Sequence, residues 1–152
     1  MPLRLGVADA GEILTLQRAA YVTEAQAHDD LGMPPLTQTL DQLRGELADP
    51  ACVAWGVREN GRLVASVRVR LGDVVAEIGR LVVAPDQQGN GLGTALLRAS
   101  EAALPDGIPT VRLFTGERSL ANLRLYTRLG YEETERTPAG NYQLVHLAKT
   151  RS

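Results

Sequence analysis

Cysteine, excess positive charge and long apolar runs are all missing or scarce in this chain. Cys52 is the one cysteine among 152 residues, so no internal disulfide can form. Its neighbours Ala51, Val53, Ala54 and Trp55 mark it as a small apolar strand residue and not a nucleophile. Lysine and arginine number 16 against 18 aspartates and glutamates, a net charge of −2, which lacks the basic excess that general nucleic-acid binding requires. No apolar run approaches the roughly 20 residues of a membrane-spanning helix, so no membrane partner is expected. The opening residues Met-Pro-Leu-Arg-Leu-Gly-Val carry no basic region followed by an apolar segment and a cleavage site, and the expected location is the cytoplasm. No His/Cys/Asp/Glu group has metal-ligand spacing, and no Gly-x-Ser-x-Gly marks a serine hydrolase. What remains is a chain of one-domain length, residues 1–152, of mixed α/β character.

The hydrophobic pattern orders that domain. Leu3 to Val7 reads as a short strand, and Asp9 with Glu12 as a capping box opening a helix through Ile13, Leu14, Leu16, Gln17, Ala20 and Tyr21. Glu24 to Gln38, with His28, Asp29, Asp30, Gly32, Pro34 and Pro35, is expected to be largely loop. Thr39 and Gln42 form a second capping box, for a short helix that stops at Asp49-Pro50. Cys52 to Arg58 and Arg62 to Leu71 read as a hairpin about Asn60-Gly61, the pair a type I′ turn favours. Val74 to Ala84 is a long strand ended by Pro85. A glycine-rich stretch, a helix from Leu92 to Ala103 and a buried strand from Thr110 to Thr115 follow. Ser119 to Leu129 forms a further helix capped by Gly130, and two final strands, Tyr131 to Thr137 and Tyr142 to Ala148, close the chain.

Chemistry concentrates in Val82-Val83-Ala84-Pro85-Asp86-Gln87-Gln88-Gly89-Asn90-Gly91-Leu92-Gly93-Thr94. Glycines allow backbone N–H groups to converge at the start of a helix whose dipole favours negative charge, which makes a phosphate cradle. A nucleotide P-loop would need Lys and Ser or Thr after the last glycine, where Thr94-Ala95 stands. The G-x-G-x-G order also departs from the G-x-G-x-x-G of a dinucleotide fold.

Gln88-Gly89-Asn90-Gly91-Leu92-Gly93 resembles the (Arg/Gln)-x-x-Gly-x-(Gly/Ala) pattern of the GNAT acetyltransferases. Leu81-Val82-Val83-Ala84-Pro85 is similar to the family's preceding strand and proline, and Asn122-Leu123-Arg124-Leu125-Tyr126-Thr127-Arg128-Leu129-Gly130-Tyr131 to its Leu-Tyr helix ending in Leu-Gly-aromatic. The resemblance implies a mixed, mostly antiparallel sheet of six to seven strands with about four helices, in which two central parallel strands splay apart to admit acetyl-CoA. It implies that backbone N–H groups of Gln88, Gly89, Asn90, Gly91, Leu92, Gly93 and Thr94 line the pyrophosphate site. Leu81 and Val83 would pair with the pantetheine arm, and an N–H near Leu81 or Val82 would face the thioester carbonyl.

By the same resemblance Tyr126 is the candidate general acid for the departing thiolate, with core packing as the alternative. Asn122, one turn earlier on the same face, would reach the cofactor; Ser119 stands where many members carry that asparagine. Glu77, four residues before Leu81, occupies the place where some members carry a general base; a strand period of two puts Glu77, Gly79 and Leu81 on one face. A solvated acid paired with Arg68, Arg70 or Arg80 is the competing reading. The acceptor, a small-molecule or peptide amine, would bind between the 21–37 loop and the 137–141 turn. There Glu24, His28, Asp29 and Asp30 are either a cation-attracting set or a plain acidic surface loop. A homodimer is expected by family habit, and a non-catalytic acyl-CoA sensor is the alternative function.

Overall fold

A computed structural model describes residues 1–151. Its strands are β1 (Leu3–Leu5), β2 (Cys52–Glu59), β3 (Arg62–Leu71), β4 (Val75–Val83), β5 (Thr110–Gly116), β6 (Glu132–Ala139) and β7 (Tyr142–Thr150). They form one seven-stranded sheet in the order β1-β2-β3-β4-β5-β7-β6. All neighbours run antiparallel except β4 and β5, which are parallel. The helices are α1 (Ala10–His28), α2 (Pro34–Thr37), α3 (Leu40–Ala48), α4 (Leu92–Ala102) and α5 (Leu120–Arg128). Among the described residues no helix is long and apolar enough to cross a membrane.

Alternation along β3 decides how the helices sit. Val67 and Val69 are fully buried under the face crossed by α4, while Ser66 and Arg68 point to the face covered by α1 and α3. Arg68, only 4% exposed, donates from Nε to Glu46 Oε1 at 2.7 Å and from Nη1 to Gln17 Oε1 at 3.0 Å. Gln17 Nε2 in turn donates to Pro35 O at 2.8 Å and Gln38 Oε1 at 3.1 Å. Arg68 and Gln17 thus have their partners inside the protein, as burial demands, and α1, α2 and α3 are tied to one strand residue.

Several sequence signals translate directly. Thr39 Oγ1 accepts from Gln42 N at 3.1 Å while Gln42 Oε1 accepts from Thr39 N at 2.9 Å, a complete capping box on α3. Asn60 and Gly61 adopt φ of 53° and 79°, the left-handed pair of a type I′ turn. Cys52 is buried in β2, and burial pushes its thiol pKa up, away from nucleophilic use.

Three expectations are corrected. The stretch from Glu24 to Gln38 is not largely loop: α1 continues to His28 and α2 covers Pro34–Thr37, because Ala25 and His28 prolong the buried stripe of α1, the His28 ring meeting its hydrogen bonds inside the protein. The Asp9/Glu12 capping box does not form. Asp9 accepts from Gly6 N, and both carboxylates instead hold Arg58, at 3.0 and 2.8 Å. Finally, β4 does not keep a period of two. Ser66 faces Val82 and Arg68 faces Gly79, so Arg80 and Leu81 together oppose the single residue Val67, a β-bulge with Arg80 at φ 54°. Glu77 and Gly79 therefore share a face with Val82, and Leu81 turns to the other side.

Candidate active site

The parallel pairing of β4 with β5 covers only Val75 to Glu77 against Thr110 to Arg112. Beyond Glu77 the strands separate, and the bulge takes Arg80 and Leu81 out of register with β3 as well. This opening leads into the glycine loop. Gly89 and Gly91 have φ of 81° and 76°, a region that L side chains rarely adopt, and a Cβ on either would meet nothing within 4 Å. Gly91 is the N-cap of α4, so the helix's first N–H groups point into free space. Gly93 serves packing instead: a Cβ there would lie 3.3 Å from Leu125 Cδ2 and 3.8 Å from Leu81 Cδ2. Gln88 Nε2 donates to Val83 O at 3.0 Å, which fastens the loop to the strand end.

A cavity of about 510 Å³ occupies this region. Of the sequence-chosen residues, Leu81, Val82, Val83, Gln88, Gly89, Gly91, Leu92, Gly93, Thr94 and Asn122 line it. Asn90 does not: it stands exposed between the two left-handed glycines, with Nδ2 directed 3.4 Å to Gln87 Oε1.

Tyr126 lines a second cavity, of about 500 Å³, that shares Tyr21, Glu24, Leu81 and Asn122 with the first. Its phenol is 5% exposed, and burial, reinforced by Tyr21 and Glu24, raises its pKa above the ordinary tyrosine range. It therefore stays protonated at neutral pH. Asn122 Nδ2 donates to Thr115 Oγ1 at 3.4 Å, and Ser119 is buried with its hydroxyl donating to the Glu24 carboxylate. Ser119 is thus engaged with α1, and of the two residues Asn122 faces both cavities.

His28 is 1% exposed and not a free base. Arg118 N donates to its Nε2 at 3.0 Å, so Nε2 carries no proton and Nδ1–H donates to Glu24 O at 2.8 Å. Gly116 makes room for this ring: a Cβ there would lie 2.2 Å from Nε2. The ring packs 4.6 Å from Tyr142, whose hydroxyl donates to Asp30 Oδ2 at 2.8 Å. Burial and Asp30 push the Tyr142 phenol up to about 12. Asp30 is held in turn by Gly32 N, so this part of the acidic segment forms a wall of the cavity. His146 shares a hydrogen with Thr137 Oγ1 at 2.8 Å on the open sheet face, a structural contact.

Glu77 lies elsewhere. It is half-exposed, faces Arg112 across the parallel pair and forms an ion pair with it, while Arg68 and Arg70 are taken by Glu46 and Asp49. It lines a separate trough, of about 540 Å³, on the Arg68 face and does not line the cavity that holds Tyr126. Sequence reading missed Arg80 as a site residue, which the bulge turns into the junction. Gly79, directly before Arg80, is the signal that could have announced the bulge, since a glycine inside a strand often marks one.

Residues 14–131 match the sequence model of the Acetyltransferase (GNAT) family. The chain belongs to the GNAT family. It is similar to the UPF0157 protein YqkA of Bacillus subtilis, 29% identical over 138 residues, covering 91% of this chain and 39% of that one. A mycothiol acetyltransferase of Kineococcus radiotolerans is 33% identical over 128 residues, covering 82% of this chain and 39% of the relative. The chain spans less than half the length of the curated relatives it matches. Among solved structures, the PaiA N-acetyltransferase of Thermoplasma acidophilum in complex with coenzyme A superposes with a TM-score of 0.83 at 15% identity, over 99% of this chain and 98% of that one. The splayed strand pair and glycine loop are thus set in the GNAT fold.

Proposed function

We propose that the chain is a single catalytic domain that transfers an acetyl group from acetyl-CoA to a primary amine of a small molecule or peptide, by direct attack in a ternary complex. The observation that carries this reading is that two cavities, one ending in a glycine cradle at a helix N-terminus and one holding a buried, protonated Tyr126, meet at the splay of β4 and β5. The cradle suits coenzyme A. Its positive-φ glycines leave open space in front of the first α4 N–H groups, and the bare edge of β4 at Leu81 to Val83 offers backbone groups to an extended amide-bearing arm.

In this reading the acceptor ammonium first gives a proton to a carboxylate. Glu24 is better placed for that than Glu77, since it lines both cavities. The amine lone pair then forms the C–N bond at the thioester carbonyl, whose oxygen takes up the displaced charge against backbone N–H groups freed by the bulge at Arg80 and Leu81. As the carbonyl re-forms, the C–S bond breaks and sulfur takes the phenolic proton of Tyr126; the proton left on Glu24 restores the phenol through water, and the nitrogen, cationic after attack, releases its second proton to solvent. The products are an amide and free coenzyme A. Holding both reactants at one junction supplies the orientation that direct attack needs.

Calorimetric titration with acetyl-CoA tests the reading. Micromolar binding by the wild type, lost in Gly91→Glu, which puts bulk and negative charge in the cradle, supports it; a folded wild type that binds no acetyl-CoA sinks it. Binding without acetylation of any amine would favour a sensor module.

A further inference from the structure

The buried and half-buried charges around the junction do not balance. Arg68 and Arg80 both approach Glu46, yet the Glu46 oxygens are already taken, Oε1 by Arg68 Nε at 2.7 Å and Oε2 by Gln38 Nε2 at 2.9 Å. No ion pair among the described residues includes Arg80, and its Nε is buried without a hydrogen-bond partner. Its guanidinium lies against the Tyr21 phenol, which burial keeps protonated and hence neutral. A half-buried cation with its Nε enclosed and unpaired is costly unless something anionic completes it. Arg80 is also a non-glycine residue at φ 54°, a conformation that persists only where the surroundings enforce it. The bulge that enforces it places the side chain where the Tyr126 cavity meets the trough on the Arg68 face.

The same cavity is also lined by the acidic Glu24, Asp29 and Asp30 and by the apolar surfaces of Met33, Pro35 and Tyr142. The geometry points to Arg80 as the anchor for a carboxylate carried by the acceptor, which makes the acceptor class a free amino acid or a related small amine with a carboxylate close to its nitrogen. This rests on the acetyl-transfer reading above. The amine lies between Glu24 and Tyr126, the carboxylate on the Arg80 guanidinium, and the acceptor's side chain along the apolar wall. A guanidinium suits this role because its planar fork pairs with a carboxylate and cannot lose its charge.

The test compares free amino acids with their own carboxamides as acceptors, reading product by mass spectrometry and binding by calorimetry in the presence of coenzyme A. The acids are expected to exceed the amides in kcat/KM by about tenfold to a hundredfold, the span of one charge-assisted hydrogen bond. Arg80→Gln should erase the ratio of acid to amide kcat/KM, the change lying in the KM of the acids, and Arg80→Lys should restore part of it. Amides, peptide N-termini or lysine side chains used as well as free acids would overturn the assignment, as would a preference that survives in Arg80→Gln. The comparison in the wild type stands even if a variant fails to fold. Acid-over-amide binding decides the role of Arg80 even without turnover, whereas absent acetyl-CoA binding condemns the transferase reading separately.

Discussion

The two cavities that meet at the splay are built in opposite ways. The cofactor-side cavity draws most of its lining from one stretch, Leu81 to Thr94, and its key features are backbone: positive-φ glycines, a helix N-cap and a bare strand edge. The Tyr126 cavity draws on α1, the loop after it, α2, β4, β5, α5 and the β6–β7 turn, and works through side chains. A contiguous backbone site tolerates side-chain change as long as its glycines remain. A site assembled from distant elements depends on every contact that positions them.

The sharpest separation of the two cavities comes from Tyr126→Phe. It should lower kcat by about a hundredfold or more, the scale of losing a general acid, with acetyl-CoA affinity nearly unchanged by calorimetry. Because burial raises the Tyr126 pKa, the alkaline limb of the wild-type rate profile should lie above about pH 10, the ordinary tyrosine value; a limb near neutrality would assign the acid elsewhere.

Next in size, Glu24→Gln should reduce kcat by about tenfold to a hundredfold, as expected for a group moving a proton in the reaction. Glu77→Gln should change it by less than about twofold, since a half-exposed ion pair contributes little. The reverse ranking in steady-state kinetics would return the base to the sheet surface.

Gly116→Ala tests whether the side-chain cavity fails first. Its Cβ would overlap the His28 ring, so a loss of about 1–3 kcal/mol of stability is expected, with acetyl-CoA binding retained at low temperature. Chemical denaturation and calorimetry on the same sample check both halves.

The smallest effect lies beside the glycine loop. Arg62 holds Asp86 through two hydrogen bonds and lowers its pKa from 3.8 to about 2. A depressed folded value means the pair's contribution is complete above about pH 4 and fades as pH falls toward 2. Arg62→Ala should therefore lower the melting midpoint slightly at neutral pH and converge with wild type in acid, because the pair is exposed and screened.

The contrast between the cavities also explains what could be read in advance. Thr39/Gln42, Asn60-Gly61 and the glycines before α4 are local devices whose residue types name their geometry, and the structure reproduces each. Asn90 was indistinguishable from its neighbours in the glycine loop until backbone direction sorted them. His28 and Gln17 obscured the length and burial of α1, because a polar side chain reads as surface unless its partners, Arg118 N and Arg68, are known from elsewhere in the chain.

The sequence by itself determined the elements, their order and the phosphate-type cradle, since hydrophobic period, caps and glycine conformations act over a few residues. Only the tertiary structure decided which charged groups meet. The register of β4 on β3 hangs on a bulge whose local sign, Gly79, does not say which residues leave the ladder, and that bulge moved Leu81 off the face of Glu77, left Glu77 paired with Arg112 and turned Arg80 to the junction. Register is set by the packing of whole strands against helices on both faces, a cooperative property that residue spacing does not carry.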